Sequence, residues 1–293
     1  MVVFHLRRKA VVRSVLSLCL LAVCAVILAQ TFFTDTVRPA DAAVTDAVSL
    51  PVIMYHHVLE NGKFGDYVIS TQELESDLNY IREKGYETVL MQDLIDYVNG
   101  GKPLPKKPIL ITFDDGYESN YRYAFPLLKK YQMKAVISVI GYWSELYSTE
   151  THKHINYSHL TWEELKELQD SGIVEIQNHT YNLHSLENRK GTQKQKGETF
   201  EHYSDLLKQD LGKNQELLYK ATGVWPNTFT YPFGYVSKES FAIIKEMGFR
   251  ASLSCQEGMN HITHDPECLY MLKRYNRRHG AGTQAFFEKL TKE

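Results

Sequence analysis

The sequence of 293 residues has few cysteines, no long run of charge of one sign and no internal repeat. Four cysteines are too few for the disulfide framework of a small secreted domain. The 33 basic and 35 acidic residues give a formal net charge of -2, which predicts no nucleic-acid surface. With 43% hydrophobic and 23% charged residues, the chain has the composition of a globular protein. No protein partner can be inferred from these features.

The one long apolar run lies near the N-terminus, from Val15 to Phe33, and basic residues precede it. This order predicts a signal peptide or signal anchor over residues 1–33, with the rest of the chain outside the cytoplasm. The run approaches the roughly 20 residues that span a bilayer, which favours an uncleaved membrane anchor. Cleavage after Ala42 is the alternative, and the protein would then be secreted. Outside this run, Cys255 and Cys268 form either one disulfide or two free thiols.

Residues 34–49 are small and polar and predict a linker, which places one catalytic domain at residues 50–293. There, apolar runs such as 108–113 and 174–178 alternate with amphipathic segments such as 71–84 and 200–222. This alternation predicts an α/β fold with parallel strands joined by right-handed crossovers, which is either a barrel or a doubly wound sheet. About seven such units favour a distorted (β/α)7-8 barrel, whose active site would lie at the carboxyl ends of the strands.

Two adjacent carboxylates directly follow the apolar run 108–113. Asp114 and Asp115 precede Gly116, and adjacent residues at a strand end point in different directions. One carboxylate can therefore bind a metal ion while the other faces the reacting water. The structural alternative is a simple turn, because Asp-Asp-Gly is favourable turn chemistry.

Two histidines follow the run 174–178. His179 and His184 are five residues apart, a spacing that does not place them on one helix face, so a metal site requires a loop that curls back at the strand end. Two imidazoles and one aspartate form the three-ligand site of a hydrolytic metal centre, with one position open. Zinc is the expected ion, although other divalent metals accept the same ligands.

Two further segments end apolar strands. In the sequence FTYPFG at 229–234, Pro232 and a glycine fix a turn whose backbone N–H groups could stabilise an oxyanion. In the sequence MYHH at 54–57, alternation along a strand points one histidine into the pocket, and we favour His56. Tyr55, Tyr117 and Pro232 are predicted to line the same pocket.

Together these motifs resemble the polysaccharide deacetylase family, also called the NodB-homology family or carbohydrate esterase family four. TFDDG at 112–116, HTYNLH at 179–184 and FTYPFG at 229–234 are similar to its first three motifs. The resemblance implies Asp114 as catalytic base and Asp115, His179 and His184 as metal ligands. It also implies an oxyanion-binding N–H from Tyr231 and a distorted barrel fold.

The sequence departs from the family pattern in three places. Thr230 stands where the family commonly has an arginine that orients the catalytic aspartate. The histidine pair has one residue more than the commonest spacing, which resembles the branch acting on poly-N-acetylglucosamine. In the family, a histidine in the closing motif acts as general acid. The corresponding segment here offers Arg274, Arg277 or His279 but no clean match, so the general acid is unassigned.

The combined expectation is a metal-dependent hydrolase that removes N-acetyl groups from an extracellular or cell-wall polysaccharide such as poly-N-acetylglucosamine, peptidoglycan or chitin. The alternatives are a carbohydrate-binding pseudoenzyme and a metal hydrolase of another substrate, such as a peptide or an O-acetyl ester.

Overall fold

The computed structural model describes residues 47–291. The predicted signal or anchor segment at 1–33 and most of the predicted linker lie outside the described residues. Within residues 47–291, no helix is both long enough and apolar enough to cross a membrane. The first described strand, β1 (Val48–Leu50), pairs antiparallel with a strand late in the chain, Asn260–Ile262.

Parallel strands form the centre of the described chain. The strands after β1 are β2 (Val52–Tyr55), β3 (His57–Leu59), β4 (Val68–Ser70), β5 (Glu87–Val89), β6 (Pro108–Phe113), β7 (Ala135–Val139), β8 (Val174–Asn178), β9 (Thr228–Thr230), β10 (Ala251–Leu253), β11 (Asn260–Ile262) and β12 (Tyr275–Asn276). Eight of them form one parallel sheet in the order β10-β9-β8-β7-β6-β2-β12, with β5 beside the first half of β6.

The sheet curls into a half-barrel, which confirms the predicted parallel α/β architecture. Residues 272–276 span its open side, because Leu272 forms a parallel bridge to Leu253 of β10 while β12 pairs with β2. All six residues of β6 are buried, as expected for a strand covered on both faces. The predicted strands 108–113 and 174–178 are confirmed at both ends.

Helices pack around the sheet. They are α1 (Thr71–Glu83), α2 (Met91–Val98), α3 (Phe125–Tyr131), α4 (Gly141–Thr149), α5 (Trp162–Asp170), α6 (Phe200–Thr222), α7 (Ser240–Glu246) and α8 (Thr283–Thr291), with a π-helical turn at Asn120–Ala124 before α3. Capping boxes begin α1 at Ser70 and α5 at Thr161. The predicted helix over 200–222 is confirmed at both ends.

Helix α4 was not predicted from the sequence, and its N-terminus shows the physical reason. Its N-cap residue, Ile140, makes no side-chain capping bond. Its first amides, from Gly141 and Tyr142, donate instead to the carbonyl oxygens of Thr180 and Tyr181 at 3.1 and 2.9 Å. The start of this helix is therefore fixed by a distant loop, which local sequence cannot reveal.

Candidate active site

Asp115, His179 and His184 converge at the carboxyl ends of β6 and β8. The Oδ1 atom of Asp115 lies 3.5 Å from Nε2 of His179 and 3.3 Å from Nε2 of His184. One ligand atom from each residue lies within 4.8 Å of the other two. Asp115 adopts a φ of +70°, in the left-handed region, so the chain turns sharply after β6 and separates the directions of Asp114 and Asp115.

Hydrogen bonding orients the first imidazole toward this cluster. Nδ1 of His179 lies 2.8 Å from the carbonyl oxygen of Thr230, to which it donates its proton. That bond fixes the tautomer in which the unprotonated Nε2 faces Asp115, a common arrangement for metal-binding histidines. The His184 ring packs against the ring of Phe233 with centroids 4.2 Å apart.

The cluster fits a divalent cation. Oδ1 of Asp115 is buried and has no hydrogen-bond partner among the described residues. Burial opposes ionisation of Asp115, but the close imidazoles of His179 and His184 outweigh burial and hold the pKa below its usual value. Burial lowers the pKa of His184 to about 4, so this imidazole is neutral at pH 7. An ionised carboxylate and a neutral imidazole are the protonation states that a metal ion needs.

The carboxylates around His179 also make this position favourable for a cation. Burial would lower the pKa of His179, but the carboxylates of Asp115 and Asp114 outweigh burial and raise it. The surroundings of this ring therefore favour positive charge. With two nitrogens and one oxygen as donors, the site has the ligand set of a three-ligand metal centre.

Asp114 forms a buried ion pair that the sequence did not reveal. The guanidinium of Arg274, fully buried, donates from its two terminal nitrogens to Oδ1 and Oδ2 of Asp114 at 2.7 and 2.8 Å. Its Nε donates to the carbonyl oxygen of Ser254 at 2.7 Å. Burial would raise the pKa of Asp114, but Arg274 outweighs it and holds the pKa below its usual value. Arg274 therefore supplies the orienting arginine that is absent at Thr230.

The predicted oxyanion role of Tyr231 is not compatible with this structure. Its backbone N–H already donates to the carbonyl oxygen of Leu253 at 3.1 Å, within the pairing of β9 and β10. Its hydroxyl pairs with Ser240 at 2.7 Å, and the side chain is fully buried. Register with a neighbouring strand decides whether this amide is free, and the motif alone does not show that register.

The next free amide of the same turn belongs to Phe233. Pro232 has no N–H, and the amides of Gly234 and Tyr235 donate to the carbonyl oxygens of Tyr231 and Pro232. For the Phe233 N–H, the described part of the chain shows no acceptor. Phe233 has a φ of +55°, and its ring contacts that of His184, so this residue adjoins the cluster of Asp115, His179 and His184.

The structure places one of the predicted pocket residues near the site and another in the core. Tyr55 is in the core, with its hydroxyl 3.0 Å from Asp77, so its placement in the pocket was wrong. Alternation along β2 points Tyr55 away from the site, opposite to its neighbour His56. The charges of Asp115 and Asp114 act on His56, whose Nδ1 is buried without a partner among the described residues.

Tyr117 contacts the site, and Pro232 belongs to the turn beside it. Tyr117 stacks between His57 and His159 at 4.4 and 4.7 Å, and its hydroxyl interacts with Asp115. Pro232 is buried, so it shapes the turn and offers little surface to a ligand.

The three residues that the sequence offered as general acids have other partners. Arg274 binds Asp114, Arg277 binds Asp77 at 2.7 Å, and His279 lies 2.8 Å from Glu73. Cys255 and Cys268 are free thiols and form no disulfide with each other.

The curated proteins that are similar in sequence to this chain include several that are named as deacetylases. A poly-beta-1,6-N-acetyl-D-glucosamine N-deacetylase of Escherichia coli K12 is 27% identical over 230 residues, 71% of this chain. The chain covers only 34% of that relative's length. A putative polysaccharide deacetylase of Bacillus subtilis, YxkH, is 29% identical over 81% of this chain and 74% of its own length.

Solved structures are similar over most of the domain. A de-N-acetylase from Aggregatibacter actinomycetemcomitans has a TM-score of 0.70 and 26% identity, and covers 83% of this chain and 100% of its own. IcaB from Ammonifex degensii has a TM-score of 0.64 and 28% identity, and covers 77% of this chain and 91% of its own.

The family model for polysaccharide deacetylases matches residues 101–252. This segment includes both aspartates and both histidines of the site, but neither His56 nor Arg274. The match spans more than half of the sequence, and Asp115, His179 and His184 within it lie together in the structure. The chain therefore belongs to the polysaccharide deacetylase family.

Proposed function

We propose that this protein is a metal-dependent hydrolase that removes N-acetyl groups from an amino-sugar polysaccharide outside the cytoplasm. The observation that carries the proposal is the position of Asp114, an ionised carboxylate next to a cluster of Asp115, His179 and His184 that fits a divalent cation. The names of the relatives from E. coli and A. actinomycetemcomitans support de-N-acetylation, and the former supports poly-N-acetylglucosamine as the first substrate to test.

Asp115, His179 and His184 would hold the metal ion, and zinc suits their two nitrogens and one oxygen. When bound, such an ion would polarise a carbonyl group and lower the pKa of water, so that water can lose a proton and act as a nucleophile at neutral pH. The family is the source of this expectation, and the unpartnered Oδ1 atom of Asp115 agrees with it.

Asp114 acts as the general base. Each of its oxygens accepts one bond from Arg274 and keeps a second acceptor position for the attacking water. Water adds to the acetamide carbonyl carbon, Asp114 accepts the proton, the carbon–nitrogen bond breaks and acetate leaves. Because Arg274, Arg277 and His279 all have other partners, we propose that Asp114 returns this proton to the departing amine.

The N–H of Phe233 stabilises the negative charge that develops on the carbonyl oxygen. It replaces Tyr231 in this role because the Tyr231 amide is paired within the sheet. A backbone donor held by a rigid turn needs little reorganisation during the reaction, which makes such donors effective.

Two exposed aromatic rings suit a sugar polymer. Tyr67 is 59% exposed and its ring meets His56 edge-on at 4.8 Å, while Phe233 is 41% exposed above His184. Tyr67 lies beside His56, which follows β2, and Phe233 follows β9; these two strands lie on different sides of the half-barrel. Aromatic faces exposed on both sides of a catalytic cluster can stack on successive sugar rings.

Acetate release tests the proposal. Purified protein with zinc is incubated with poly-N-acetylglucosamine, peptidoglycan, chitin oligomers and acetylated xylan, and a chelator-treated sample serves as control. We expect acetate from an N-acetylated polymer and its loss after chelation. Release only from acetylated xylan would indicate an O-acetyl esterase, and metal binding without release from any polymer would indicate a carbohydrate-binding pseudoenzyme.

We also propose that residues 1–33 export the chain and hold it at the membrane. The basic cluster before the apolar run 15–33 supports this orientation, since positive charge stays on the cytoplasmic side. Protease added to intact cells should digest the domain, and detergent should be needed to extract it. A protein protected from protease in intact cells would contradict export.

A further inference from the structure

The loop between the two histidine ligands has an unusual backbone. His179 directly follows β8 and His184 comes five residues later, so the chain between them must fold back for both imidazoles to face Asp115. Thr180 has a φ of +73°, a conformation that β-branched residues rarely adopt. Such a conformation persists only when the surrounding structure holds it in place.

The carbonyl groups of this loop are held by helix α4. The oxygens of Thr180 and Tyr181 accept the N–H groups of Gly141 and Tyr142, which have no partner inside their own helix. Gly141 permits this close approach, because a Cβ atom there would lie 3.1 Å from the ring of Tyr181 and 2.1 Å from the side-chain oxygen of Asn214 on α6. The loop therefore serves as the cap of α4.

The N–H groups of the same loop are held by one carboxylate on helix α6. Tyr181 donates to Oδ1 of Asp210 and Asn182 donates to Oδ2, both at 2.8 Å. Both oxygens of Asp210 are thus committed to the two residues in the middle of the loop. Burial raises the pKa of Asp210 to about 6, against the opposing effect of the two amides and of Lys213.

We infer that Asp210 is the positioning residue of the metal site, which sets the distance between the two histidine ligands by binding the backbone of Tyr181 and Asn182. The inference rests on the proposed function, because it requires that the cluster bind a metal ion. The proposed role is distinct from that of a ligand, since Asp210 contacts the loop and not the cluster. Partners of this kind orient metal ligands, and their loss typically costs 10- to 100-fold in metal affinity.

The substitution Asp210→Asn tests this role with little change in shape. The side-chain amide has one acceptor oxygen, so one loop N–H keeps a partner while the other faces an NH2 group. Asp205→Asn is the matched control, because Asp205 lies on the same helix and is exposed. Both variants lose one negative charge from α6, so a general electrostatic effect would appear in both.

The primary measurement is the dissociation constant for Zn²⁺, obtained by competition with a chelating dye on the full chain at a temperature where every variant is folded. We expect Asp210→Asn to weaken Zn²⁺ binding about 10- to 100-fold and Asp205→Asn to leave it unchanged. Unfolding of the metal-free proteins is measured in parallel. A purely structural role for Asp210 would lower the unfolding temperature of the metal-free variant without changing Zn²⁺ affinity.

Two results would overturn the inference in different ways. If the wild-type protein and Asp210→Asn bind Zn²⁺ equally well, the role of Asp210 is refuted and the proposed function stays intact. Wild-type protein that binds no Zn²⁺ would refute both. If Asp210→Asn does not fold, Asp210→Glu replaces it in the same assay, because it keeps both acceptor oxygens but displaces them by one methylene, and unchanged Zn²⁺ affinity would again refute the role.

Discussion

Arg274 binds both carboxylate oxygens of Asp114 from a position 160 residues further along the chain. The pair is fully buried, and the guanidinium is also held by Ser254 and Thr112. A fixed bidentate partner keeps the carboxylate ionised and in one orientation. Arg274 therefore compensates for the threonine at position 230, where the family commonly has arginine.

Replacement of Arg274 by Met should reduce catalysis without removing the metal. Asp114 would keep a buried charge without its partner, so we expect a loss of about 3–5 kcal/mol in the free energy of unfolding. Acetate release by the folded fraction should fall on the order of 10²-fold, because the base is no longer held in place. Denaturant titration, Zn²⁺ affinity and turnover measure the three effects.

Arg277→Met is the matched control for that experiment. Arg277 is equally buried and pairs with Asp77 in the core at 2.7 Å, away from the metal cluster. It should cost similar stability and leave turnover of the folded enzyme near the wild-type value. Equal turnover in Arg274→Met and Arg277→Met would contradict an orienting role for Arg274.

The two adjacent aspartates should fail in different ways when each is changed to asparagine. Asp114→Asn keeps all three proposed ligands, so Zn²⁺ should stay bound while acetate release falls by about 10²- to 10⁴-fold. Asp115→Asn removes a ligand and should weaken Zn²⁺ binding. Metal analysis and acetate assays on both variants check this. The assignments would be reversed if only Asp114→Asn lost the metal.

Tyr67→Ala should weaken the use of long substrates. Removal of the exposed ring beside His56 deprives the polymer of a stacking surface, worth roughly 1 kcal/mol or a fivefold rise in KM. Hydrolysis of a small acetyl ester, which does not reach the ring, should be unchanged. Trp225→Ala is the control, because Trp225 is 52% exposed but precedes β9, at the opposite end of the sheet. An equal effect of both substitutions on KM would refute the stacking role.

Glu175 predicts a specific pH dependence of stability. Burial raises the pKa of this carboxyl in the folded protein from its usual 4.5 to about 7. Its contribution to stability is complete below pH 4.5 and is lost as the pH rises through about 7, because the folded protein keeps a proton that the unfolded chain releases. Between these values, each pH unit lowers the free energy of unfolding by up to about 1.4 kcal/mol.

Glu175→Gln should remove this part of the slope. Denaturant titrations of the variant and the wild type at pH 5, 6, 7 and 8 should show a free-energy difference that moves in favour of the variant as pH rises. Glu175 lies at the start of β8, while His179 follows its end, so acetate release should be unaffected. Parallel curves for the two proteins across this range would contradict the raised pKa.

The sequence predicted those parts of the site that follow single strands. Asp114 and Asp115 follow β6, and His179 follows β8, so strand polarity alone places them at one end of the sheet. The loop that returns His184 to the cluster was a requirement of the metal hypothesis, and its geometry depends on Asp210 and α4. Those contacts join distant segments and leave no local pattern.

Other features depend on pairing between strands. The N–H of Tyr231 is occupied because β9 lies beside β10 in a particular register, which the sequence FTYPFG does not encode. Tyr55 faces the core because successive side chains of β2 point to opposite faces, and its hydroxyl lies 3.0 Å from Asp77. For Arg274, the available signal was a charged residue within an apolar segment near the end of the chain, and its partner became evident only from the curled sheet.

The segment 272–276 joins the two edges of the half-barrel and also carries Arg274. This segment follows all the other strands of the sheet in the sequence, so the ribosome synthesises it after the proposed metal ligands and the base. A partly folded chain with an unattached last strand would therefore have a cluster able to take up metal beside a carboxylate without its counter-charge. Activity should consequently require the docking of residues 272–276, because Asp114 has no counter-charge until Arg274 is in place.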